Sequence, residues 1–206
     1  MIFLKNVTFL KAIDGFTSVE YLIIFNAIIY GFITSYYFSG WGSMIQNRKK
    51  ISFSYEHIAW TVFTFINLVT NWYGSWHRVE FININIWYFF FSLIPPLTSY
   101  FIAVLLFPNH DQEETDYSDY LSKNKKILFG VFAGTFLMSI FNGVAYKEND
   151  WVDTQNMIRA IGIILASCGI FINHKYVHIL ILSLGFFMML IFLFTIPSIN
   201  VDLLNK

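Results

Sequence analysis

Charge placement constrains this chain more than any other feature. All thirteen acidic residues and twelve of the thirteen basic ones fall outside six long apolar runs, at 21–38, 58–76, 81–107, 127–146, 154–173 and 179–197. A helix rises only about 1.5 Å per residue, so crossing a hydrocarbon layer about 30 Å thick takes about 20 residues. A spanning segment must also satisfy its own backbone polar groups, which a helix does within itself. The pattern predicts an all-α integral membrane protein with about six transmembrane helices. Composition agrees, at 56% hydrophobic and 13% charged, where ordinary soluble domains are about 25% charged.

The runs fall into two three-helix halves, 21–107 and 127–197, joined by a charged segment, 108–126. That segment is acidic and then basic, with Asp111, Glu113, Glu114, Asp116 and Asp119 followed by Lys123, Lys125 and Lys126. It reads as a solvated cytoplasmic loop or as a docking segment for a soluble partner. Residues 1–20 scatter Phe3, Val7, Leu10 and Phe16 among Lys5, Lys11 and Asp14, so they read as an interfacial helix. Residues 198–206 form a short tail. Orientation follows Lys and Arg in the short loops. With the first loop inside, Arg48, Lys49, Lys50, Lys123, Lys125, Lys126 and Lys175 are cytoplasmic, against Lys5, Lys11, Arg78, Lys147 and Lys206 outside. The expectation is a multi-pass protein of the cytoplasmic membrane with both termini external.

Several classes drop out. Lysines and arginines equal acidic residues in number, so no basic surplus exists to hold a nucleic-acid backbone. The single cysteine, Cys168, can form no internal disulfide, and no zinc-finger spacing occurs. No motif implies a cofactor. The partners expected are the lipid bilayer and a second copy of the chain, with a soluble cytoplasmic protein as a further candidate.

The second run carries the most information. At about 100° per residue, Glu56, His57, Trp60, Thr61, Thr64, Asn67, Asn71 and Ser75 share one arc, opposite Ile58, Val62, Phe65, Ile66 and Val69. A polar stripe across a membrane must face protein or water. The third run adds Ser92 and Ser99, the fourth adds Thr135, Ser139 and Asn142, and the first adds Asn26, Tyr30 and Tyr37. The sixth is almost wholly apolar and is expected on the lipid side. Two meanings compete for the stripe, hydrogen-bonding glue between helices and the lining of a hydrated cavity. Thr61, Thr64, Asn67, Asn71, Ser92, Ser99, Asn142 and Arg159 are the candidate lining or substrate-binding residues. Pro95-Pro96 predicts a kink or break in the third helix, because two residues there lack an N–H. Gly130 with Gly134, and Gly162 with Ala166, have the small-xxx-small spacing of close helix packing.

Arg159 is the one charge inside a run. It either reaches back toward Asp150 and Asp153 at the membrane surface or turns inward to meet an anionic substrate. Four of the five histidines fall on the predicted cytoplasmic side. His174 and His178, four residues apart, with His57 and Glu56, are the candidate metal ligands. No catalytic residue is assigned. The function expected is a small channel- or transporter-like protein with an interior lined by the second to fourth helices. The alternatives are a non-catalytic signalling subunit acting through segment 108–126, and a histidine-metal membrane enzyme.

Overall fold

The computed structural model describes residues 18–78, 86–108, 115–145, 151–172 and 174–195. Most of the expected interfacial segment, residues 109–114 of the charged segment, and the tail lie outside the described residues. The helices are α1 (Ser18–Gln46), α2 (Tyr55–Arg78), α3 (Ile86–Ser92), α4 (Ile94–Leu106), α5 (Tyr117–Ala145), α6 (Thr154–Phe171) and α7 (Lys175–Thr195). Among the described residues four stretches are long and apolar enough to cross a membrane: Tyr21–Gln46, Phe89–Leu106, Tyr117–Val144 and Thr154–Phe171. In α7 the shorter stretch Tyr176–Ile191 is apolar too. The chain is thus a helical membrane protein.

α2 is not among the four, and its surroundings give the reason. It packs against α1, α4, α5 and α7, so its polar face meets protein. His57, Thr61 and Thr64 are buried there, whereas Ile58, Val62 and Val69 on the opposite face are exposed. Its apolar side turns outward, as a membrane requires and water does not.

The diproline breaks the third run at Leu93. The Leu93 N–H bonds Phe90 O at 3.2 Å, a tight three-residue turn, and α4 begins with the prolines in its first turn. A missing N–H costs nothing at that position, because first-turn donors have no helical partner. The Thr98 and Ser99 hydroxyls both donate to Pro95 O, at 3.0 and 2.9 Å. At its far end α4 closes with the Phe107 N–H on Ala103 O, one residue ahead of Pro108.

α5 starts ten residues before the fourth apolar run. Asp116 caps it, accepting from the N–H groups of Ser118 (2.8 Å) and Asp119 (3.4 Å). Tyr117, Leu121 and Lys125, spaced four apart, then form a buried stripe. Part of the charged segment is therefore the opening of a helix, with Lys123 paired to Asp119 at 2.7 Å on its exposed side. Ahead of it, β2 (Thr115–Asp116) pairs in parallel with β1 (Ile51–Ser52), Ile51 opposite Thr115.

α5 and α6 pack along their lengths, and the glycines that permit it differ in part from those expected. A Cβ at Gly162 would lie 2.8 Å from the Phe136 ring, and one at Gly169 would lie 2.7 Å from Phe129. At Gly130 and Gly134 a Cβ meets no atom within 4 Å. The spacing alone does not say which face of α5 is turned to a neighbour. At Gly40 the ring of Phe107 occupies the space of the missing side chain, which sets the α1–α4 crossing.

Candidate functional site

Between α2, α4, α5, α6 and α7 lies a cavity of about 130 Å³. A water in the liquid takes about 30 Å³, so the cavity has room for several waters or a small organic group. α2 contributes Phe63, Asn67, Thr70 and Asn71, four positions on one helical face. Ser99 and Ile102 come from α4, and Phe132, Thr135, Phe136 and Ser139 from α5. α6 adds Gln155, Ile158 and Arg159, and α7 adds Gly185, Met188 and Met189. The wall is wider than the second to fourth runs. The sixth run, expected on the lipid side, supplies part of it, because α7 packs on α2 through Gly185, where a Cβ would lie 3.1 Å from Phe63.

The polar stripe of α2 divides between its two expected roles. Toward its start it joins helices. The Trp41 indole N–H donates to Thr61 Oγ1 at 3.1 Å, tying α1 to α2, and the Thr61 hydroxyl donates to Ile58 O at 2.8 Å. Thr64 donates to the carbonyls of Trp60 (2.9 Å) and Thr61 (3.1 Å). About a quarter turn further round the helix and deeper along it, Asn67, Thr70 and Asn71 face the cavity. Asn71 Nδ2 donates to Asn67 Oδ1 at 2.7 Å, and Thr70 donates to Ile66 O at 2.9 Å. These bonds stay within α2, so they orient the side chains without bridging to another helix.

Among the other lining candidates, Ser99 and Arg159 are in the wall. Ser92 donates to Phe89 O at 2.8 Å beside the helix break, and Asn142 is half-buried near the end of α5; neither belongs to this wall. Thr135 and Ser139, on the expected polar face of the fourth run, are in the wall, whereas Asn142 of that face is not. Sequence periodicity missed Thr70, which lies off the main arc, and Gln155, which comes from a helix whose orientation only packing fixes.

Two contacts of Arg159 are with neutral side chains. Its guanidinium donates to Asn156 Oδ1 at 2.7 Å and, more weakly, to Gln155 Oε1 at 3.4 Å. Asp153, one of the two surface carboxylates on the outward reading of Arg159, caps α6 by accepting from the Gln155 N–H at 3.2 Å. Asp150 lies outside the described residues. The wall therefore offers hydroxyls, amides and one fixed positive charge, backed by aromatic and thioether groups.

The four candidate metal ligands have other surroundings. His57, in the first turn of α2 and ahead of run 58–76, is fully buried, and its Nε2–H donates to Leu106 O at 2.6 Å. Leu106 ends α4, so the imidazole satisfies one of the carbonyls that a helix terminus leaves open. Burial pushes His57 below the usual histidine pKa, partly offset by that hydrogen bond. His178 lies between Glu56 Oε1, 3.1 Å from its Nδ1, and Ile172 O, 3.2 Å from its Nε2. Both neighbours are acceptors, so only the doubly protonated ring donates to both. The exposed His174 rests against Tyr176, with ring centres 5.5 Å apart. Glu56 and His178 are thus brought together, whereas His57 and His174 have other contacts. Among the described residues no three His, Cys, Asp or Glu side chains are grouped to hold a metal ion.

The class these observations define is a helical membrane protein with a polar internal cavity. No family model, curated protein or solved structure matches the chain.

Proposed function

We propose that this chain is a channel- or transporter-like protein of the cytoplasmic membrane, with six crossings that include α2, and that it binds a small solute in its interior. One observation carries the reading: the cavity gathers Asn67, Thr70, Asn71, Ser99, Thr135, Ser139, Gln155 and Arg159 from four helices at one place. Polar side chains that serve only as packing glue bond to a neighbouring helix. Here Thr70, Asn71, Ser99 and Thr135 bond to their own helices while facing open space. Arg159 adds a positive charge to the wall; early in the second turn of α6, it lies near the external mouth in the orientation with both termini outside.

Water access tests this. In a Cys168→Ser background, single cysteines replace Asn67 or Asn71, with Val62 and Val69 as outward-facing controls, and intact membranes meet a small membrane-impermeant thiol reagent. Rapid labelling at 67 and 71 but not at 62 or 69 is the expected result. Absence of labelling at 67 and 71, while a cysteine in the Arg48–Lys50 turn reacts, overturns the reading.

A further inference from the structure

We propose that the cavity takes a neutral solute with a primary carboxamide head and an aromatic body, the head seated on the Asn67–Asn71 pair and the body in an apolar recess beside it. The inference rests on the solute-binding reading above and names the class of solute.

Hydrogen-bond supply defines the head. Asn67 and Asn71 are half-buried in the wall, one turn apart on the same face of α2. Asn71 Nδ2 donates to Asn67 Oδ1 at 2.7 Å, and among the described residues neither side chain has a further partner. A bond within such a pair leaves over one whole amino group and one whole carbonyl oxygen, whichever way the two amides are turned. Around the pair, the hydroxyls of Thr70, Ser99 and Thr135 give their protons to Ile66 O (2.9 Å), Pro95 O (2.9 Å) and Val131 O (2.7 Å). What remains on those oxygens is lone pairs. This part of the wall therefore calls for N–H donors and offers an amino group in return. A primary carboxamide supplies two N–H donors and one carbonyl acceptor in a single plane. A carboxylate brings no donor and sets its charge against those oxygens, and an ammonium finds no Asp or Glu in the wall to compensate it.

Shape defines the body. A smaller recess of about 40 Å³ adjoins the cavity and shares Phe63, Phe132, Phe136, Gly185 and Met188 with it. The rest of its wall, which includes Trp60, Phe129, Leu165 and Ile181, has almost no polar surface. Phe63 stands edge-on to Trp60, with ring centres 5.7 Å apart, and lies 6.4 Å from Phe132, so the recess presents both edges and faces of rings to an aromatic group. Phe63 precedes Asn67 by four residues of α2, a rise of about 6 Å. A ring resting against Phe63 thus reaches the amide pair through a linker of two carbons. A sugar or an inorganic ion leaves the recess empty, and a purely apolar molecule leaves the Asn67–Asn71 pair unmatched.

The test uses the full chain, purified in detergent, and four probes whose binding is read by calorimetry against empty micelles. 3-Phenylpropionamide carries head, linker and body. 4-Phenylbutan-2-one has the same shape with a methyl group in place of the amino group, propionamide lacks the ring, and 3-phenylpropionate replaces the amide by a charge. The phenyl amide is expected to bind saturably, the ketone about tenfold weaker for want of donors, and propionamide about tenfold or more weaker for want of the ring. The carboxylate is expected to bind more weakly than the phenyl amide. Asn71→Leu should bring the phenyl amide down to the affinity of the ketone and leave ketone binding unchanged, which also shows that the variant is folded. With the wild-type chain alone, the proposal is overturned by equal binding of amide and ketone, by equal binding of the two amides, by tighter binding of the carboxylate, or by no saturable binding of the phenyl amide. If cysteines at 67 and 71 label while none of these preferences is found, the carboxamide assignment falls and the solute-binding reading stands. If those cysteines stay unlabelled, the solute-binding reading falls, and the carboxamide assignment falls with it.

Discussion

Gly162→Ala adds one methyl group and tests how α5 and α6 meet. The new Cβ would lie 2.8, 2.9 and 3.0 Å from three atoms of the Phe136 ring, where carbon atoms rest comfortably at about 3.5–4.0 Å. The ring must retreat by roughly 0.5–1 Å along one edge. Overpacking of this kind costs about 1–3 kcal/mol. Alanine recovers about 0.8–1.0 kcal/mol through its helix preference over glycine, so the net loss runs from near zero to about 2 kcal/mol, with about 1 kcal/mol at the centre. The same change at Gly130, where a Cβ meets nothing within 4 Å, keeps only the helix gain, so its effect has the opposite sign. Removing the clashing edge by Phe136→Leu should cancel most of the Gly162→Ala penalty, a coupling within the usual range of about 0.5–3 kcal/mol for touching residues. The assay is reversible unfolding in mixed micelles, with SDS as denaturant and far-ultraviolet circular dichroism as the signal. Gly162→Ala no less stable than Gly130→Ala, or an undiminished penalty in the Phe136→Leu background, would refute the packing argument.

Two further outcomes concern the histidines. Glu56→Ala and His178→Ala should each cost about 1–3 kcal/mol in the same assay, and the double variant less than their sum, because the 3.1 Å bond joins them; strict additivity would show that the bond contributes nothing. For His57, burial disfavours the proton that the unfolded chain accepts below about pH 6.5. Its contribution is therefore complete above that pH and declines as the pH falls below it. Wild type should lose more unfolding free energy than His57→Gln between pH 7.5 and 5.5, and equal losses would argue against a buried neutral imidazole.

Features set by residues close in sequence were the legible ones. The positions of the helices follow from where charges stop, and the break in the third run follows from Pro95 and Pro96. The inward face of α2 is legible because a continuous polar arc has no other stable placement in a bilayer. Which helices meet that face is not, since α7 carries no polar pattern to announce Gly185 or Met189 as wall residues. The early start of α5 was hidden because its exposed charges dominate 111–126. The cap at Asp116 and the four-residue spacing of Tyr117, Leu121 and Lys125 were the available signals. Gly130 and Gly162 belong to the same kind of motif, yet only Gly162 faces a partner ring, and that depends on helix rotation. The pairing of Glu56 with His178 joins residues 122 positions apart, beyond anything that local spacing encodes.

The short parallel pairing of Ile51–Ser52 with Thr115–Asp116 bears on how the chain threads the bilayer. His57 at the start of α2 also meets Leu106 at the end of α4, so everything between these points leaves one place and comes back to it. An excursion that returns to the face it left has crossed an even number of times. The stretch Phe89–Leu106 is apolar enough to cross by its own composition. If that stretch crosses, its crossing has to be matched by another inside the same excursion, and α2 is the long described helix there. Parity is thus the ground on which the proposed six crossings include a helix too polar to be identified by hydropathy alone.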